Sequence, residues 1–221
     1  MEKLLKVTGK GNIKVVPDLT VISVTLSKTE STYKKALESS NKESKILKEL
    51  LNEVGIKDKD IKTKKFNIEP HYAYYKDKYN ESKSKVDGYT FQNKMEFRFD
   101  IDNKLLGKVL YQLTKCTTSS NVDISYSFKD VEGAKNLLLK SAVEDAVKKA
   151  NILAEASKVE LLGINSISYC FDELELTISP FDHRMRNYMV DECCCVGSMD
   201  MDINPDDICL SDNVTITWEI K

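Results

Sequence analysis

The chain has 221 residues, of which 41% are hydrophobic and 31% charged, and its formal net charge is -2. This length and apolar content suffice for one large domain or two small ones, which excludes disorder as the default state. Because 33 lysines and arginines face 35 acidic residues, no basic excess exists to neutralise a phosphate backbone, and nucleic acid is not expected as a partner.

Targeting signals are also missing from the sequence as it stands. No apolar run reaches the roughly 18 residues of a membrane-spanning helix, and the opening MEKLLK lacks the apolar stretch of a signal peptide. These observations predict no membrane span and a cytoplasmic location, unless a leader has been removed. The six cysteines are too few for a disulfide scaffold, so reduced thiols are expected.

The first predicted element is a strand over residues 7–26, which is rich in β-branched side chains. Gly9, Gly11 and the pair Pro17-Asp18 are interpreted as bends within it. Apolar residues occupy both faces around Val21 and Val24, a pattern that predicts a central strand covered on both sides.

An amphipathic helix is predicted over residues 31–54, because apolar side chains return every three or four positions among lysines and glutamates. Gly55 can adopt the left-handed conformation that ends a helix, and Ile56 can fold back onto the last turn. The helix is therefore expected to stop at this point.

A long hairpin is predicted next. Residues 63–75 and 89–101 each alternate apolar and polar side chains, which gives each strand one apolar face. The polar, charged residues 76–85 between them predict a solvated tip.

A shorter helix follows over residues 105–113, with Asp102 or Asn103 as its N-cap, and residues 121–128 have the composition of a strand. The resulting β-α-β-β-α-β order is the split pattern of ferredoxin-like folds. We therefore predict the α+β class, with an antiparallel sheet and helices packed on one face.

The remainder of the chain is predicted to contain a long helix and two strands. The helix spans residues 131–157 and carries an alanine-rich face suited to close packing; the strands lie near residues 162–176 and 214–220. The intervening residues 179–212 exceed the usual connection length, so this insertion is expected to be functional, disordered or an oligomer-forming arm.

Several short motifs occur in order along nearly the whole chain. They are Val7-Thr8-Gly9-Lys10-Gly11, Pro17-Asp18, Val54-Gly55-Ile56, Asp60-Ile61-Lys62-Thr63, Gly88-Tyr89, the alanine helix from Ala142 to Ala154, and Val214-Thr215-Ile216-Thr217-Trp218. Together they resemble the SIMPL-domain family. We therefore predict a single SIMPL-like domain over residues 1–221, in which residues 1–130 form the β-α-β-β-α-β part and residues 131–221 the helix and final strands.

The resemblance implies an α+β fold and frequent oligomerisation, including ring-like or channel-like assemblies. It implies roles that are mostly undefined, with stress tolerance and surface antigenicity among secreted bacterial members, and it implies no catalytic residues. This sequence departs from the secreted pattern in its opening residues and in a cysteine triplet, Cys193, Cys194 and Cys195.

Gly9 and Gly11 could cradle a phosphate, since exposed backbone amides bind anions. A dinucleotide fingerprint needs a third glycine and a following helix, and strand-like sequence follows here instead. The two glycines are therefore interpreted as a bend or bulge.

The cysteines offer a candidate metal site, because thiolates and imidazole suit zinc and copper. The candidate ligands are Cys193, Cys195, Cys209 and His183. The usual C-x-x-C spacing is absent, so a thiol cluster without a metal is the competing interpretation. A thiol-based redox or metal-binding protein is accordingly the alternative function.

An enzyme would need a cysteine activated by His183 or His71, the two histidines of the chain. Neither histidine sits in a recognisable hydrolase motif, and His71 is interpreted as a solvated strand residue. No reaction can be deduced, no catalytic residue or cofactor is expected, and the small-molecule ligand is unknown.

The hairpin tyrosines are the predicted interaction surface. Tyr72, Tyr74, Tyr75 and Tyr79 could pack within the hairpin or against a partner chain, since aromatic side chains supply large contact areas with a polar handle. We predict a self-assembling interaction protein, a homo-oligomer.

Overall fold

A computed structural model describes residues 3–76, 79, 81–116, 119–169, 177–178 and 203–221. Its elements, in chain order, are β1 (Leu4–Val15), β2 (Leu19–Glu30), α1 (Tyr33–Glu53), a 3₁₀ turn (Asp58–Asp60), β3 (Lys62–Lys76), β4 (Ser82–Asp100), α2 (Asn103–Leu113), β5 (Ser119–Ser127), α3 (Val131–Ser157), β6 (Leu161–Tyr169) and β7 (Ile208–Ile220). This mixture of helices and antiparallel strands confirms the predicted α+β class.

The chain divides into two compact units. The first, which we call the α3 unit, comprises among the described residues 3–18, 126–169, 177–178 and 205–221, and contains a three-stranded sheet in the order β1-β7-β6. The second, the hairpin unit, comprises the described residues of the range 19–125 together with residues 203–204, and contains a four-stranded sheet in the order β3-β4-β2-β5.

The single strand predicted over residues 7–26 is wrong, because β1 and β2 belong to different sheets. The break lies at residues 16–18, where Pro17 has no N–H to donate to a ladder. Asp18 turns the chain: its N–H donates to Ser127 O at 3.0 Å, and its Oδ1 accepts from Lys129 N at 2.9 Å. The order strand, helix, two strands, helix, strand therefore starts at β2, and β2 lies inside its sheet as expected.

The glycines of β1 serve helix packing. The β1–β7 ladder runs without a register shift from Leu4 to Val15, so the bend or bulge interpretation of Gly9 and Gly11 is wrong. A Cβ on Gly9 would lie 2.1 Å from Ala142 O and 2.4 Å from Ala146 N. The missing side chains thus let α3 lie directly on β1, with the buried alanine face of α3 towards the sheet.

A carboxylate fastens α3 to the same strand. Asp145 Oδ2 accepts from Lys10 N at 2.7 Å and forms an ion pair of 2.7 Å with Lys149 Nζ. The Lys149 hydrogen bond, followed by the Lys10 N–H, lowers the pKa of Asp145 below its ordinary value. The carboxylate therefore stays ionised at neutral pH and keeps both bonds.

The core of the hairpin unit lies between its sheet and α1. The buried side chains are Ile22, Val24 and Leu26 of β2, Phe91, Met95 and Phe97 of β4, and Ala36, Leu47 and Leu51 of α1. The predicted end of α1 is confirmed: Gly55 has φ +95°, and Ile56 N donates to Leu51 O at 3.1 Å. Asp102 caps α2 by accepting from Lys104 N and Leu105 N.

The predicted irregular segment 179–212 is wrong at its end, because Ile208 to Asp212 lie in β7. Asp212 resembles a strand breaker in sequence but is buried, and its Oδ2 accepts from Tyr169 OH at 2.9 Å. This tertiary hydrogen bond holds a polar residue in the strand. Residues 179–202 of that segment, and residues 170–176 of the predicted strand 162–176, lie outside the described part of the chain.

Candidate functional site

The predicted interaction surface lies on a two-stranded ribbon at the end of the hairpin. The β2–β4 ladder ends at the pair Glu30 and Tyr89, whereas the β3–β4 ladder continues to Lys76 and Ser82. Within the described part of the chain, residues 72–86 therefore pair only with one another. We call residues 72–86 the arm.

All four predicted tyrosines of the arm are exposed. Tyr74 is 81% exposed and Tyr79 is 73% exposed, while Tyr72 and Tyr75 are about half exposed. Tyr72 and Tyr74 lie on one face of the strand and Tyr75 lies on the other, because successive side chains alternate. The structure thus brings the tyrosines together on the arm without burying them in a core.

A bulge marks the base of the arm. The register shifts between His71 and Tyr72, which pair with Gly88 and Val86, so Asp87 is left out of the ladder. The freed Asp87 carboxylate binds the side chain of His71, with 2.7 Å between Oδ1 and Nδ1. Bulges bend a ribbon and increase its twist, so this one sets the direction of the arm.

Gly88 lets β2 pack closely against the base of the arm. A Cβ on this buried glycine would lie 2.8 Å from Glu30 O and 3.0 Å from Thr29 Cγ2. Next to it, the rings of Tyr89 and Tyr33 meet edge to face at a centroid distance of 5.9 Å. The arm therefore starts from a packed base, which preorganises it for binding.

The candidate cysteine site is only partly described. Cys193, Cys194, Cys195 and His183 lie outside the described residues. Cys209 is exposed on β7, and the structure places no other predicted ligand beside it in the described ranges. In the same ranges, no group of three or more His, Cys, Asp or Glu side chains is arranged to hold a metal ion.

A further thiol, Cys116, follows α2. Burial raises the pKa of its thiol above the ordinary value, and the Glu43 carboxylate adds to the rise. At neutral pH this side chain is a protonated thiol, which is a poor nucleophile.

A cleft of about 710 Å³ opens in the α3 unit between the end of β1 and the first turns of α3. Its floor includes Ile13, Val15 and Phe128. Two of its carboxylates already bind backbone: Asp130 Oδ1 accepts from Gly133 N at 2.8 Å, and Asp18 holds Lys129 N. These two hydrogen bonds stabilise the turn into α3.

Comparison with known proteins defines the family. The family model of SIMPL, "Protein of unknown function (DUF541)", matches residues 5–218. The chain belongs to the SIMPL family. This match confirms the resemblance seen in the sequence motifs.

Two curated proteins resemble this SIMPL protein. Both are named "26 kDa periplasmic immunogenic protein": the one from Brucella melitensis biotype 1 is 27% identical over 165 residues, and the one from Brucella abortus strain S19 is 26% identical over 165 residues. Each alignment covers 74% of this chain and 65% of the relative. The chain thus spans slightly less than two-thirds of the length of these relatives.

The location predicted from the sequence gains no support from the relatives, whose names describe periplasmic proteins. Among the helices of the described residues, none is long and apolar enough to cross a membrane.

The structure gives the Gly88-Tyr89 motif of this SIMPL protein a physical reason that the sequence did not reveal. Gly88 is required by the close approach of β2, and Tyr89 packs on Tyr33. The partnership of His71 with Asp87 was also missed, because it depends on a bulge that periodicity does not predict. The glycine in the return strand was the available signal, since glycine in a strand often marks a bulge or a close approach.

Proposed function

We propose that this SIMPL protein is a self-assembling protein and that the arm binds a second copy of the chain. The observation that carries the proposal is the projection of residues 72–86 beyond the end of β2, with exposed tyrosines on both faces. A two-stranded ribbon alone is marginally stable in water, so an arm of this kind gains stability when another surface covers it.

The exposed tyrosines of the arm can supply free energy of the size that association needs. A buried tyrosine removes about 150–250 Å² from water, so covering the exposed parts of three such rings supplies on the order of 10 kcal/mol before costs. Association itself costs about 4–15 kcal/mol. Several tyrosines must therefore contribute together, and loss of two is expected to weaken assembly markedly.

The relatives support a location for this function. Both are periplasmic proteins by name, and one family model spans nearly the whole of this chain. We place the assembly of this chain in the same compartment, outside the cytoplasm.

The double substitution Tyr74→Ser and Tyr75→Ser tests the proposal. It removes one ring from each face of the arm and leaves the buried core unchanged, so the fold should persist. We expect the dissociation constant of the assembly, measured by light scattering over a dilution series, to rise at least tenfold, about 1.4 kcal/mol.

Tyr111→Ser is the matched control, because Tyr111 is 55% exposed on α2 and lies outside the arm. The dissociation constant of the assembly formed by this variant should stay within about twofold of the value for the unmodified protein, because a surface substitution usually changes a free energy by less than about 0.5 kcal/mol. Equal weakening by the arm and control variants, or none in the arm variant, would contradict the proposal.

A further inference from the structure

The edge strands of the two sheets differ in how they are protected. Exposed edges invite pairing with another chain, and proteins usually block them with charges or proline. Three of the edge strands carry such residues: Lys6, Lys10 and Lys14 on β1, Lys62, Lys64 and Pro70 on β3, and Asp123 on β5. The fourth, β6, has the sequence LLGINSISY, with neither a charge nor a proline.

β6 also exposes apolar side chains. Leu162, Ile164 and Ile167 are each more than half exposed. In the described part of the chain, β6 is hydrogen-bonded to β7 along one side and has no strand on the other. Its outer backbone groups are therefore presented together with apolar side chains.

Register places two of these side chains on one face. Ile164 is opposite Trp218 and Ile167 is opposite Ile216, and a register shift lies between them. Trp218 and Ile216 belong to the core beneath the alanine face of α3. Ile164 and Ile167 therefore continue that apolar face beyond the part of the sheet that α3 covers.

We propose that β6 is a second assembly surface, at which it pairs antiparallel with β6 of another copy about a two-fold axis. This inference rests on the proposed function, since it assumes that the chain self-assembles. The pairing joins two three-stranded sheets into one and gives the outer backbone groups of both strands hydrogen-bond partners.

The absence of charged residues on β6 favours a second copy of the chain as its partner. A two-fold pair places each strand against its own sequence, so a charged residue near the axis would meet the same residue of the other copy, which is destabilising. β6 has no charge and avoids this repulsion. A two-fold axis perpendicular to the sheet also keeps each face on the same side, so Ile164 and Ile167 of both copies form one continuous apolar strip.

Lysine substitutions test this surface. Ile164→Lys or Ile167→Lys places one lysine from each copy within the shared apolar strip and is expected to lower the mass of the assembly, measured by light scattering, to half or less. Ile152→Lys on α3 is the matched control, because Ile152 is 56% exposed, close to the 54% of Ile164 and 58% of Ile167. The control should keep the full mass.

The possible results separate this inference from the proposed function. If the unmodified protein assembles and both β6 variants keep its mass, pairing through β6 is refuted and self-assembly stands. If the unmodified protein is a monomer, both the pairing through β6 and the proposed self-assembly are refuted.

Hydrogen–deuterium exchange on the unmodified protein gives an answer even where a lysine variant does not fold. Those amides of Leu161–Tyr169 that are not hydrogen-bonded to β7 are expected to exchange at least tenfold more slowly in the concentrated than in the dilute purified protein. Equal exchange at both concentrations overturns pairing between copies, and protection that appears only after another protein is added does so as well.

Discussion

Replacement of residues 73–85 by a two-residue Asn-Gly turn is expected to produce a folded protein that no longer assembles beyond a pair of copies joined through β6. Tyr72 and Val86 are a cross-strand pair, so a two-residue turn can join them directly, and Asn-Gly suits the turn type that such hairpins prefer. No side chain described in the arm is buried, so the deletion removes nothing from the core. The shortened protein should therefore keep its helices and the rest of both sheets while it loses the arm surface.

Light scattering and circular dichroism on the same sample check this prediction. We expect a mass of no more than two chains, together with an unchanged helical signal in the spectrum. The double substitution Lys76→Ser and Lys85→Ser provides a control that keeps the arm and its tyrosines but removes two charges, and it should retain the assembly. A shortened variant that retains the full mass would show that copies associate without the arm.

Gly9→Ala is expected to give the largest loss of stability of any single methyl group added to the described glycines. The new Cβ would meet Ala142 O at 2.1 Å, Ala146 N at 2.4 Å and Ala146 Cβ at 2.6 Å. Backbone atoms of a 27-residue helix cannot rotate away as a flexible side chain can, so α3 must move off β1. Overpacking of this kind costs about 3 kcal/mol or more.

Urea unfolding at one fixed protein concentration measures this loss. Gly163→Ala is the control, since an added Cβ there meets nothing within 4 Å. Its free energy of unfolding should change by less than about 1 kcal/mol. Similar losses in both variants would mean that close packing of α3 on β1 does not explain the glycine.

Local signals explain the elements that were predicted well. The end of α1 is encoded by Gly55 and Ile56, whose cap geometry depends on residues near in sequence. α3 matches its predicted span because alanine recurs on one helical face through 27 residues. In both places, side chains within a few turns determine the structure.

Long-range pairing explains the errors. The β-branched run that contains β1 and β2 has the same alternation whichever sheet each half joins, so periodicity could not reveal two sheets. Asp212 remains in β7 because Tyr169, distant in sequence, binds its carboxylate. Gly9 resembled a bulge because its true neighbour, α3, lies more than a hundred residues along the chain.

The candidate site was predicted in part for the same reason. Alternation assigned Tyr72 and Tyr74 to one face, and the polar residues around Tyr79 indicated a solvated tip. The sequence could not show that β2 ends at Glu30, and that end is what leaves the arm uncovered. The pairing registers of β2, β3 and β4 determine where the uncovered arm begins.

The mass of the unmodified protein in solution, measured by light scattering with and without reductant, tests self-assembly most directly. We expect one defined oligomer whose mass is the same in both buffers, because contacts between copies are made by the arm and β6 and not by cysteine. A monomer at every concentration would contradict it, and so would an oligomer that forms only where thiols are free to oxidise.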